Sequence, residues 1–91
     1  MSSFAEAWAE TVIHIIENKD KLEKGEALQF RYKWKAPKAV LSWFLKTIQI
    51  VANIHTGKEI AVFWELDSQK GELTVLLVRR DIAEKIRGEE Q

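Results

Sequence analysis

From Leu28 to Lys35 the chain alternates without a fault. Leu28, Phe30, Tyr32 and Trp34 fall on one parity, and Gln29, Arg31, Lys33 and Lys35 on the other. Successive side chains of a strand point to opposite faces, so the stretch predicts a strand with one apolar, largely aromatic side and one cationic side. An ordinary half-buried strand with a solvated outer face has this pattern too. The surrounding charges add to it. Residues 27–58 carry six bases and no acid, net +6, whereas residues 1–26 and 59–91 are each net −3 and the whole chain sums to zero. Mean charge predicts no attraction to a polyanion. A basic central block on an otherwise acidic chain predicts one localised patch that has it.

Ninety-one residues make one small domain. Such a chain buries somewhat over ~60% of its unfolded surface, enough for one core with little margin, and a symmetric partner would add to it. With no cysteine, neither a disulfide framework nor a thiolate zinc site is possible, which fits a reducing compartment. The 31% of charged residues leans toward a thermophilic source. No apolar run reaches the ~18 residues of a membrane span and no basic-then-apolar leader is present. The expectation is a cytoplasmic protein with no membrane partner.

Ser3-Phe4-Ala5-Glu6 has the form of a capping box and opens a helix to about Asn18, with Phe4, Trp8, Val12, Ile15 and Ile16 as its buried stripe and His14 on the surface. Asn18 to Glu26 reads as a charged connector that Gly25 closes. Pro37 opens a second helix to about His55, stopped by Gly57. Leu41, Phe44, Leu45, Ile48 and Ala52 cover one face of it, and Val40, Trp43, Ile50 and Ile54 extend the apolar surface sideways, so the helix is expected to be covered on two sides, the second by another helix or a partner chain. Glu59–Asp67 and Glu72–Arg80 read as strands joined by the turn Ser68-Gln69-Lys70-Gly71, with Asp67 opposite Glu72. That register puts Ile60, Val62, Trp64, Leu66, Leu73, Val75 and Leu77 toward the core. Ala61, Phe63, Leu76 and Val78 form an apolar island on the other side, with Arg80 at its rim. Asp81 is expected to cap a short last helix running to about Arg87.

The fold class that follows is α+β: a small, mainly antiparallel three-stranded sheet of order 1-3-2, two helices on one face and a short C-terminal helix, all in one domain over residues 1–91. The central position goes to the strand carrying Thr74–Val78, the most continuously apolar run. Arg31, Lys33, Lys35 and Arg80 then share an open sheet surface with Phe63, Leu76 and Val78.

Two histidines, no cysteine and four isolated glycines match no metal, nucleophile or phosphate-loop spacing. Glu65, Asp67 and Glu72, with Lys70 nearby, are weighed as a nuclease-like cluster and read as solvated turn acids. No enzyme, cofactor, metal or small-molecule substrate is assigned. The functional expectation is binding of single-stranded nucleic acid: Arg31, Lys33, Lys35 and Arg80 on phosphates, Phe63 stacking on bases, and Trp34 joining it if not fully buried. The alternative is a homo-oligomeric structural or protein-interaction module without nucleic-acid binding, in which Phe63, Leu76 and Val78 are the oligomer interface.

The aromatic-basic strand Phe30–Lys35, Ala36-Pro37 opening a long apolar helix, and a hairpin rich in valine, leucine and tryptophan together resemble the ThermoDBP-type single-stranded DNA-binding proteins and their relatives in hyperthermophilic archaea. The resemblance spans most of the chain. It implies an oligomeric, non-OB-fold binder of single strands, with bases in apolar pockets beside a basic surface and little sequence preference. DNA is the expected ligand and RNA the open alternative.

Overall fold

The structure, a computed structural model, describes residues 4–90. The elements are α1 (Phe4–Glu17), α2 (Lys19–Glu23), β1 (Leu28–Lys33), α3 (Lys38–Thr56), β2 (Ile60–Asp67), β3 (Glu72–Arg79) and α4 (Arg80–Glu90). The sheet is antiparallel throughout and ordered β1-β3-β2. Asp67 faces Glu72, Phe63 faces Leu76 and Trp64 faces Val75. On the other side of β3, Arg31 faces Thr74 and Lys33 faces Glu72. The α+β architecture, strand order and hairpin register are therefore those expected.

One sheet face carries the helices. Leu28, Leu73, Val75, Leu77 and Ile60 pack there with Leu41, Phe44, Ile48 and Ala52 of α3 and Ile15 of α1. Phe44 is the hub, with Tyr32 edge-on at 5.3 Å and Trp34 at 5.2 Å between ring centroids. Gly57 ends α3 at φ 68°, in the left-handed region that favours glycine, and its N–H is donated to the Asn53 carbonyl. Two side chains of α3 clamp the start of β2: Gln49 Nε2 donates to the Ile60 carbonyl and Asn53 Oδ1 accepts the Ile60 N–H, both at 2.8 Å. Those bonds satisfy backbone groups that an edge strand otherwise leaves open.

Several local expectations are corrected. Ser3, the expected cap of α1, lies outside the described residues. Ile16 is exposed, and the buried positions of α1 are Thr11 and Ile15. The Thr11 hydroxyl bonds the Ala7 carbonyl at 2.7 Å and the Tyr32 hydroxyl at 2.6 Å, so a polar residue occupies a core position with its bonds made. The connector after Asn18 contains α2, whose Leu22 is fully buried. Trp64 lies on the helix-side parity yet is 52% exposed, because β2 is an edge strand. Asp81 does not cap α4 from outside. The helix starts at Arg80 directly from β3, and the Asp81 carboxylate is held by the Arg79 guanidinium at 2.9 and 2.7 Å. α4 also continues through Gly88 to Glu90.

No helix among the described residues is long and apolar enough to cross a membrane.

Candidate nucleic-acid interface

The outer face of the sheet is built by β-strand parity in four rows. At the hairpin end Lys33, Glu72 and Asp67 lie side by side; then come Arg31, Thr74 and Glu65; then Gln29, Leu76 and Phe63; then Val78 and Ala61. Neighbouring strands are about 4.8 Å apart, so each row spans about 10 Å. The cations all fall on β1, at one edge. The acids fall on β3 and on β2, the other edge. Across the whole face the charges thus oppose one another, and the expected surface of cations shared with Phe63, Leu76 and Val78 becomes a basic edge facing an acidic one.

Along that basic edge Arg31, Lys33 and Lys35 are exposed and, among the described residues, none makes an ion pair. Behind them runs a shallow groove of about 350 Å³ lined by Gln29, Phe63, Trp64, Glu65, Thr74 and Leu76. Phe63 is 40% exposed, so its ring is accessible from the groove, and Leu76 forms the half-buried floor.

The remaining expected residues are not gathered there. Trp34 is 7% exposed, with its ring against Phe4 and Phe44 and its indole N–H donated to the Ala36 carbonyl at 3.1 Å. A ring packed on both sides cannot stack on a base, so Trp34 is a core residue. Arg80 sits at the opposite edge, where it pairs with Glu59 at 3.5 Å and lines a second cavity with Ala61, Phe63, Ala83 and Arg87. Val78, expected in an oligomer interface, is buried within the chain, at the end of the sheet where α4 packs on β2 and β3. Phe63 and Leu76 remain accessible.

Sequence reasoning missed Trp64, which lines the groove beside Phe63. Parity alone sends it inward; only its place on an edge strand exposes it. His14, expected at the surface, is exposed and lies edge-on to Phe30 at 5.2 Å. Glu65, Asp67 and Glu72 share the hairpin end, and no group of three acidic or histidine side chains among the described residues is placed to hold a metal ion.

Beneath the basic edge, β1 is tied to the helix layer by Tyr32. Burial pushes its phenol from 10.0 up to about 12, and the negative charge of Glu10 adds to the rise. The hydrogen bond with the Thr11 hydroxyl opposes the rise. Elsewhere the Asp81 carboxyl lies below the usual carboxylate range because Arg79 donates to it, and Arg79 is raised in turn.

Comparison with known protein families, with curated proteins and with solved structures finds no match to this chain.

Proposed function

We propose that the chain binds single-stranded nucleic acid, DNA in the first instance, with little sequence preference and as a homo-oligomer. The backbone of the strand follows the β1 edge, where Arg31, Lys33 and Lys35 take phosphates. Its bases turn inward over Thr74 and Leu76 toward Phe63. One observation carries this reading: Arg31 and Lys33 on β1 and Lys35 just past its end are exposed and without ion partners among the described residues, beside a groove that holds an accessible ring. Sequence-tolerant binders need this pairing of charge with a π-surface. The resemblance of the strand, the long helix and the hairpin to ThermoDBP-type proteins points the same way.

The acidic row Glu65, Asp67 and Glu72 narrows the track. A polyanion laid across the full sheet would meet these carboxylates, so the path keeps to β1 and the Gln29–Leu76–Phe63 row. A duplex is disfavoured, because no helix among the described residues presents a basic recognition surface. The reading assigns no catalytic step.

Anisotropy titrations of a short labelled single-stranded oligonucleotide with three variants test the placement. Arg31→Ala and Phe63→Ala should each weaken binding, the second by the ~1–3 kcal/mol of a stacked base. Arg80→Ala, already paired with Glu59, should change little. Equal affinity for the wild type and the first two variants overturns the placement on β1.

A further inference from the structure

The Cα envelope is 18 Å in its thinnest direction, the depth of one sheet and one helix layer, so the helices have an outer face of their own. α1 and α3 lie side by side and parallel. Phe4 meets Trp43 and Phe44 at 5.5 and 5.8 Å, and one turn later the Trp8 indole N–H is donated to Thr47 at 3.0 Å. At 3.6 residues per turn, Trp43, Ile50 and Ile54 fall on the side of α3 opposite its buried Leu41, Phe44, Ile48 and Ala52. Ile13 and Ile16, with Ala9 between them, fall on the corresponding side of α1, away from Thr11 and Ile15.

These five large side chains are between 37% and 71% exposed, Ile54 the most. With about 200 Å² for a fully exposed large side chain, they leave on the order of 500 Å² of apolar surface in water. That reaches the upper end of the 300–600 Å² typical of the largest patch on a monomer. The rims of the face add to this area, toward the ~800 Å² that each partner contributes to a standard stable interface.

We propose that this helix face, not the outer sheet face, joins two copies of the chain. Its rims identify a second copy as the occupant. The flank of α1 away from α3 carries Glu10 and Glu17, and the flank of α3 away from α1 carries Lys46. All three are exposed, without an ion partner among the described residues. A two-fold axis parallel to the helices sets each α1 over the α3 of the second copy. Glu10 of one copy then meets Lys46 of the other, twice by symmetry, around an apolar centre that includes two copies of Trp43 and Ile54. Both sheets face outward and their β1 edges stay open.

This deepens the oligomeric half of the proposed function, and it is tested without nucleic acid, so that failure of one half leaves the other standing. Sedimentation equilibrium of the isolated protein should give twice the 10.6 kDa chain mass. Ile54→Glu, at a position too exposed to disturb the fold by circular dichroism, should raise the dimer dissociation constant about 100-fold or more, because the contact is lost twice and each loss is worth about tenfold. Glu10→Lys and Lys46→Glu should each weaken the dimer, and the double variant should recover it. Phe63→Ala should leave the mass unchanged. A wild-type protein at the single-chain mass, an assembly that survives Ile54→Glu, or a double charge swap no better than its single variants overturns the assignment.

Discussion

The pair Thr11–Tyr32 holds β1 against the helix layer, and its geometry sets an order of mutational costs. Thr11 has one hydroxyl proton, and the 2.7 Å contact to the Ala7 carbonyl uses it. In the 2.6 Å contact Tyr32 is therefore the donor and Thr11 the acceptor. Thr11→Val keeps the shape and removes the acceptor, leaving the buried side of the Tyr32 hydroxyl without a partner. An orphaned donor costs about 2 kcal/mol. Tyr32→Phe removes the donor instead, and the Thr11 hydroxyl still bonds Ala7, so only the net value of one hydrogen bond, about 1 kcal/mol, is lost. For a domain this size each kcal/mol moves the melting temperature by about 4–8 °C, giving roughly 10 °C for the first variant and roughly 5 °C for the second. Adding Thr11→Val to Tyr32→Phe should cost less than Thr11→Val alone, because no donor is then stranded. Urea and thermal unfolding followed by circular dichroism read all four proteins. The pH dependence adds a second test. The phenol is raised from 10.0 to about 12 on folding, so its contribution is complete below pH 10 and is lost as pH rises toward 12. Tyr32→Phe should abolish that part of the alkaline loss. Thr11→Val costing no more than Tyr32→Phe, or an alkaline limb unchanged in Tyr32→Phe, would refute the assigned donor and acceptor.

Lys33→Ala with Lys35→Ala should lower affinity for single strands and flatten the slope of log K against log salt by about 1.4, two contacts at roughly 0.7 each. The melting temperature should hardly move, since both side chains are exposed and without ion partners among the described residues. Trp34→Ala should do the reverse, destabilising the chain by about 3–5 kcal/mol while the folded fraction binds oligonucleotide as before. Gly57→Ala should cost about 1–2 kcal/mol in urea unfolding from the left-handed backbone alone, because a Cβ there would meet no atom within 4 Å.

Periodicity carried the fold where each element has one buried face. The alternation of Leu28–Lys35, the hairpin spacing around Ser68–Gly71 and the Pro37–Gly57 brackets of the long helix all determine local geometry, and strand order followed from placing Thr74–Val78 centrally. Failures came where burial depends on neighbours that local pattern does not encode. Ile16 is exposed because the buried stripe of α1 centres on Thr11 and Ile15, where a threonine, bonded to Tyr32, takes a core position that hydrophobic pattern alone does not assign it. Trp64 has inward parity but lies on an edge strand. Val78 has outward parity but lies where α4 packs across the end of the sheet. Asp81 looked like a cap, and the adjacent Arg79 claimed its carboxylate. The candidate site was half legible. The cations of β1 and the ring of Phe63 were visible as composition and parity. The acids beside them, the separation of Arg80 from the basic edge and the burial of Trp34 emerge only with three strands in register. The excess apolar surface of the long helix was visible at once, although not which element, if any, covers it; α1 covers part and leaves Trp43, Ile50 and Ile54 in water.

The central claim is that the β1 edge binds single strands through phosphate charge and base stacking. Its most direct test is a titration with a labelled single-stranded DNA, read by anisotropy and tryptophan fluorescence at several salt concentrations, with the matching duplex and RNA alongside. The account predicts tight single-strand binding at low salt, a steep log–log salt slope, quenching from Trp64 in the groove and weaker duplex binding. No binding to any of the three at low salt would contradict it, and would leave Arg31, Lys33 and Lys35 as an ordinary solvated edge.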